Sequence, residues 1–223
     1  FYLEVIKFYQ LEKRIINNFL YLIGKKETFV IYSPQRSFSN FFRQLIEMNL
    51  FVHYEQGKKN INYYKHNPKV SLDLNLKKKF IVFVLYKEFH LWHQSLKKNP
   101  MDFFQIFQKF GMSPITIKDK NKLKKYHSNF FNYWLSNSKK IKNIEFVNFR
   151  EILSEKNILE LLSYIKIKYN LFSNSKITIP NKVRFSKKLN KNKIFKTPID
   201  QDILSKKINY HIKKKRKLLI NNF

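Results

Sequence analysis

The chain contains no cysteine and no alanine, and it has only three glycines among its 223 residues. Without cysteine it can form neither a disulfide nor a thiolate metal site. The glycine-rich phosphate loops GxGxxG and GxxxxGK[ST] do not occur, and so little glycine leaves no other candidate for such a loop. The sequence therefore argues against disulfide-stapled proteins and against the common nucleotide-binding enzymes.

Long apolar runs are also missing. The best run, "FIVFVLY" from Phe80 to Tyr86, is much shorter than the roughly 20 residues that a membrane-spanning helix needs. Its length is typical of a buried strand, and we predict no membrane insertion.

Catalytic and metal-binding patterns are equally scarce. No Ser-His-Asp or Cys-His grouping stands out, and no acid pair of a nuclease type does. His90 and His93 are three residues apart, but only Glu88 is an acid nearby, so a structural or surface position explains them better than a metal does. Asp200 and Asp202 lie at the start of a predicted helix, whose dipole favours carboxylates there. We predict no catalytic site, no metal and no cofactor.

Positive charge is what the sequence has in abundance. Lysine and arginine number 45 against 15 acidic residues, which gives a net charge of +30, while 43% hydrophobic residues are enough for a folded core. Self-repulsion of this size destabilises a compact chain unless a polyanion neutralises it. The charge therefore favours a nucleic-acid partner.

The sequence is also rich in lysine, asparagine, isoleucine, phenylalanine and tyrosine, which have A/T-rich codons. Such a bias is typical of organellar genes.

The spacing of apolar residues predicts a mixture of helices and strands in the first 140 residues. Helices are predicted at 1–23, 38–51, 99–112 and 119–137; strands are predicted at 27–32, 69–75 and 80–86, with a hairpin around Gly57. The polar stretch "SNSKK", 136–140, is the predicted domain boundary.

The last part of the chain, 141–223, has a clearer predicted order. The predicted strands are 143–149, 176–185, 192–198 and 207–220, and the predicted helices are 154–169 and 200–206. This β-α-β-β-α-β order is ferredoxin-like. The predicted fold class is therefore α+β, with a ferredoxin-like carboxy-terminal domain that carries a long basic hairpin, preceded by a mixed α/β extension at 1–140.

Four stretches of this part resemble one family in order and in approximate spacing. They are "FVNFREILSEK", "ITIPNK", "FKTPID" and "NYHIKKKRKLLI", and together they are similar to the bacterial-type ribosomal protein ten of the small subunit. The stretch between Pro180 and Pro198 is longer than is usual in that family, and Lys213 stands where its His-Lys-Arg run begins. Residues 1–140 have no counterpart in it.

The resemblance implies a structural protein in the head of the small ribosomal subunit, here of mitochondria, with the hairpin reaching into ribosomal RNA. It also implies that the small-subunit ribosomal proteins three and fourteen are neighbours. The residues predicted to contact RNA are Lys182, Arg184, Phe185, Lys187, Lys188, Lys191, Lys193, Lys196, Lys213, Lys215 and Lys217. The lysines and the arginine would neutralise phosphates, while Phe185 either stacks on a base or covers the sheet.

A second interpretation remains open. A peripheral subunit of a respiratory membrane complex would also be basic, because lysines attract anionic lipid. The helix around Lys122 to Trp134 carries lysines on one side and aromatic residues on the other, as such a protein needs. The "KKKRK" run at 213–217 also fits a nuclear address, a lipid surface or a phosphate clamp.

Overall fold

The computed structural model describes residues 27–55, 65–67, 80–98, 100–174, 176–180 and 202–220. The strands within these ranges form one four-stranded sheet of order β2-β1-β3-β4, in which every neighbouring pair is parallel. The strands are β1 Thr28–Tyr32, β2 His53–Tyr54, β3 Phe80–Tyr86 and β4 Ile144–Asn148.

Six α-helices and one short 3-10 helix accompany the sheet in the described ranges. They are α1 Ser39–Asn49, α2 Phe89–Lys97, α3 Met101–Lys109, α4 Lys120–Ser138, the 3-10 helix Phe149–Ile152, α5 Glu155–Lys168 and α6 Ile203–Ile220. Local capping explains several of these starts: the Asp119 side chain accepts from the Lys122 amide before α4, and Ser154 accepts from the Asn157 amide before α5.

The burial of the strands agrees with their parallel arrangement. Every residue of β1, β3 and β4 is buried, and strands covered on both faces are typical of parallel sheets. In register, Val30 pairs with Val82 and Val82 with Ile144. The apolar run at Phe80–Tyr86, predicted to be a buried strand, is confirmed and lies at the centre of the sheet.

Helices cover both faces of this sheet. Alternate strand residues divide between the faces, as the period of a strand requires: Ile31 and Phe83 pack with α1 and α5, while Val30 and Val82 pack with α4 and α6. A third cluster joins α2, α3 and the start of α4 through Trp92, Phe103, Leu123 and their neighbours.

The prediction of a mixed α and β fold is confirmed, but the ferredoxin-like order is not. The predicted strand at 143–149 and the predicted helix at 154–169 are present as β4 and α5. The predicted final strand at 207–220 is wrong, because this segment belongs to the helix α6. Residues 176–180, predicted to begin a strand, carry none. The sheet is parallel, whereas a ferredoxin-like sheet is antiparallel.

The helix α6 has a plain physical cause. Leu204, Ile208 and Ile212 are spaced four residues apart, and all three are buried against the sheet and α4. That spacing places them on one face of a helix, whereas in a strand the exposed residues Lys206 and Tyr210 would lie on the same buried side.

The predicted boundary at 136–140 falls at the end of α4 and the turn after it. β4, which follows this turn, pairs with β3 over five residue pairs, so both predicted segments contribute strands to one sheet. The predicted helix at 1–23, the hairpin tip around Gly57, the strand at 69–75 and the basic arm all lie outside the described residues.

Candidate nucleic-acid interface

Helices α4 and α6 lie side by side on one face of the sheet. Phe130, Phe131 and Trp134 of α4 share a core with Leu204 and Ile208 of α6. This packing buries the apolar stripe of each helix and leaves its polar face outward.

Polar contacts fix the direction of α6. Near its start, Ser205 is hydrogen-bonded to the hydroxyl of Tyr86, the last residue of β3. Near its end, the Lys215 ammonium donates to the main-chain oxygen of Ile144, the first residue of β4, at 2.5 Å. The helix therefore runs antiparallel to the strands, and its amino terminus lies at their carboxyl ends. α4 ends just before β4 begins, so it runs the same way.

The outward face of these two helices, together with the turn that follows α4, carries a dense set of lysines, which we call the α4–α6 lysine face. No acidic residue occurs between Lys120 and Lys142 or between Ile203 and Ile220; Asp119 and Asp202 each sit one position before a helix. The exposed lysines of the face are Lys120, Lys122, Lys124, Lys125, Lys139, Lys140, Lys142, Lys206, Lys207, Lys213, Lys214 and Lys217.

Four of these lysines occupy the first two turns of α4, where the helix dipole is positive and cations are disfavoured. Their positions are Lys120, Lys122, Lys124 and Lys125. Asp119 offsets this in part, since its hydrogen bonds with Lys122 hold the pKa of that carboxyl below its usual value. Such a concentration of like charge favours the binding of an anion over stability of the isolated chain.

An open groove of about 420 Å³ lies between α4 and the start of α6. Lys124, Ser128 and Asn132 line one side, and Asp202, Ile203 and Lys207 line the other. Its cations, hydroxyl and amide are groups that proteins use toward phosphate and sugar oxygens, while the Asp202 carboxylate at its edge accepts from the Ser205 amide.

The opposite face of the sheet has a different charge pattern. On α1, Arg43 pairs with Glu47 at 3.3 Å. On α5, the exposed charges are both acidic and basic, with Glu155 and Glu160 beside Lys156 and Lys166. The one-sided distribution of lysines is therefore a property of α4 and α6, beyond the excess of lysine in the whole chain.

Buried and partly buried acids take part in ion pairs within the chain. Glu145 of β4 accepts hydrogen bonds from the hydroxyls of Tyr164 and Tyr169, both at 2.8 Å, and from the Lys168 ammonium. Burial and the Glu145 charge raise the pKa of both tyrosines. Glu151 pairs with Arg216 in the same region. These acids are used inside the fold and do not neutralise the lysine face.

The three carboxy-terminal lysines predicted to contact RNA have different surroundings. Lys213 and Lys217 are exposed and four residues apart on α6, so they point in similar directions. Lys215 turns toward the edge strand and lies 3.7 Å from Glu145 Oε1. Burial lowers the pKa of Lys215. The helix therefore leaves Lys213 and Lys217 exposed on neighbouring turns and uses Lys215 within the protein.

The predicted contacts in the basic arm, namely Lys182, Arg184, Phe185, Lys187, Lys188, Lys191, Lys193 and Lys196, lie outside the described residues. The lysines of α4 were not predicted as RNA contacts. In the sequence they are visible as the run "KNKLKK" at the start of a predicted helix. The lysines of that helix were taken to support binding to a lipid surface.

The histidines predicted to be structural have protein surroundings. His93 stacks on Phe89 with ring centroids 5.7 Å apart, and His90 Nε2 lies 3.9 Å from the buried Glu88. Asp202 accepts from the Ser205 amide at 2.6 Å, as a helix cap does. No group of three or more metal-ligating side chains occurs in the described part of the chain.

Lys87 is a buried cation that the sequence did not single out. It directly follows β3, donates to the hydroxyl of Ser95 at 2.6 Å and lies 4.7 Å from the centre of the Phe149 ring. Burial, with help from Lys98 and Arg36, lowers its pKa to about 8. It fixes the end of β3 to α2 and to the 3-10 helix.

None of the helices in the described ranges is long and apolar enough to cross a membrane. Comparison of the chain with protein-family models, with curated proteins and with solved structures gave no match.

Proposed function

We propose that this chain is a structural, RNA-binding constituent of the mitochondrial small ribosomal subunit. The observation that supports this most is the α4–α6 lysine face, where exposed lysines of two neighbouring helices occur without an acidic residue on either helix. A net charge of +30 on a folded chain adds support, because ribosomal RNA supplies the neutralising charge that the fold does not.

The proposed mechanism is neutralisation of phosphates. Each lysine that contacts a phosphate releases condensed counterions, so affinity falls as salt rises. The packed core under α4 and α6 holds the lysines in fixed directions. The folded core thus positions the outward lysines within 120–125 and 206–217, and these lysines contact the RNA phosphates.

Membership of the ribosomal protein ten family stays a prediction and carries less of the proposal than the charge does. β4 and α5 match two of the elements that the resemblance implies, but α6 stands where it implies a strand. A place in the head of the subunit beside ribosomal proteins three and fourteen depends on this resemblance and is proposed only with it.

The test is to follow the chain in a density gradient of mitochondrial lysate, first with magnesium and then after magnesium removal at high salt. Sedimentation with the small subunit and its RNA in the first gradient, and release in the second, is the expected result. Sedimentation with detergent-solubilised membrane complexes in both gradients would replace the proposal with the respiratory-complex interpretation.

A further inference from the structure

Tyr210 is a large aromatic residue on the outward face of α6. Its exposed fraction is 69%, whereas the inward residues Leu204, Ile208 and Ile212 are buried. The phenol ring therefore contributes little to the core, and the helix gains nothing from a tyrosine over an alanine at an exposed position.

The four nearest helical neighbours of Tyr210 are all exposed lysines. On a helix, the residues three and four positions away lie next to a given side chain, and for Tyr210 these are Lys206, Lys207, Lys213 and Lys214. We call Tyr210 and these four lysines the Tyr210 patch. An exposed aromatic residue is common by itself, but one surrounded on both sides along the helix by cations combines the two components of single-stranded nucleic-acid sites.

We infer that the Tyr210 patch binds a nucleotide of single-stranded RNA, an inference that rests on the proposed function. The base stacks on the phenol ring, and the phosphates on either side contact the lysines one turn before and one turn after it. A rise of about 1.5 Å per residue puts these lysines roughly 4.5–6 Å from Tyr210 along the axis, so they lie beside the base and not beneath it.

The chemistry favours an unpaired base over a duplex. Bases in a duplex are stacked on one another, so a side chain cannot cover their faces, whereas loops and single strands present them. A duplex would contact the lysines only. An anionic membrane would also contact the lysines, but a stacked base is what gives the exposed ring a specific partner.

The experiment measures binding of the full chain to a fluorescently labelled, unstructured single-stranded RNA and to an RNA duplex of the same length. Tyr210→Ala should weaken single-strand binding about ten-fold, within the range seen for loss of one stacked base, and leave duplex binding unchanged. Tyr210→Phe should keep nearly full affinity, since it keeps the ring. Alanine favours helix, so circular dichroism should show α6 intact.

Phe172 provides the matched control, because it is 80% exposed and lies in the segment after α5, away from the lysine face. Phe172→Ala should leave both affinities unchanged. Equal affinity of wild type and Tyr210→Ala for the single strand would overturn the inference, as would an equal loss for single strand and duplex. If Lys213→Gln with Lys214→Gln still weakened binding in that case, the proposed function would stand.

A different result would remove the proposed function itself. If the wild-type chain bound neither RNA in a salt-dependent way but bound vesicles rich in anionic lipid, both proposals would fail together. Tyr210→Ala weakening vesicle binding and not RNA binding would overturn the inference in favour of a lipid surface.

Discussion

The guanidinium of Arg150 makes two hydrogen bonds to the buried carboxylate of Glu88, Nε to Oε1 at 2.6 Å and Nη2 to Oε2 at 2.9 Å. Glu88 lies just after β3, and Arg150 lies in the 3-10 helix just after β4. The pair therefore joins the carboxyl ends of two neighbouring strands and raises the pKa of Arg150 through its contact with Glu88.

Arg150→Met should destabilise the fold by about 3–5 kcal/mol, because it leaves the Glu88 carboxylate buried without its main partner. Urea unfolding followed by circular dichroism measures the free energy of unfolding. The control is Arg43→Met, which removes the partly exposed pair with Glu47 and should cost no more than about 1 kcal/mol. Similar losses for the two variants would mean that the Arg150–Glu88 pair stabilises the fold no more than the Arg43–Glu47 pair does.

Replacing two lysines on the α4–α6 lysine face should change the salt dependence of RNA binding. Lys213→Gln with Lys214→Gln should reduce the slope of log affinity against log salt by about 1.4, since each phosphate that a lysine neutralises on a single strand adds about 0.7 to that slope. The control, Lys156→Gln with Lys166→Gln on α5, removes the same charge from the opposite face. Equal reductions would indicate a general charge effect and no defined surface.

Lys215 should behave differently from its neighbours. Lys215→Met removes the hydrogen bond to the Ile144 oxygen, and leaving a buried carbonyl unpaired costs about 1–3 kcal/mol. We expect lower stability in thermal unfolding together with an unchanged salt slope for RNA binding. A loss of slope half as large as that expected for Lys213→Gln with Lys214→Gln, with stability unchanged, would place Lys215 on the RNA surface.

Stability should rise with pH between about 8 and 10. The folded pKa of Lys87 is about 8 against an ordinary value of 10.5, so in this range the unfolded chain holds a proton that the folded chain has lost. Stability increases with pH wherever the unfolded state binds more protons, and the Lys87 contribution is about 2 kcal/mol over this window. Lys65, with a pKa also near 8, acts in the same direction.

Lys87→Met should remove the Lys87 contribution to this rise in the free energy of unfolding, as measured by urea unfolding at a series of pH values. Above about pH 10 the trend should reverse, because Tyr126, Tyr164 and Tyr169 have raised pKa values and stay protonated only when folded. A wild-type curve that falls steadily from pH 8 to 10 would contradict the burial of charge at Lys87.

Much of the secondary structure was predictable because its residues follow one clear period. The apolar run at Phe80–Tyr86 and the helices α1, α3, α4 and α5 were predicted within a few residues of their observed bounds. α6 was predicted wrongly because Leu204 was assigned to a short helix at 200–206, and the lysine-rich segment 207–220 was assigned to a separate strand. Leu204, Ile208 and Ile212 together show the four-residue spacing of a helix, while the alternation around Asn209 to Lys213 also fits a strand.

The order of the strands was not predictable in the same way. Parallel pairing depends on which segments meet in space, and β1, β3 and β4 are far apart in the chain. The candidate site shows the same limit. The charge predicted an RNA partner, but only the packing of α4 against α6 separates outward lysines from Lys215, which serves the fold.

The internal use of Glu88, Glu145 and Glu151 has a consequence for how salt acts on this molecule. Acids that are already paired inside the fold cannot compensate the outward lysines, so small ions must do so when no RNA is bound. Added salt should then raise the melting temperature of the free chain by screening its self-repulsion. The same salt should weaken the proposed binding to RNA, so a buffer that best preserves the isolated protein is one in which we expect it to bind RNA least.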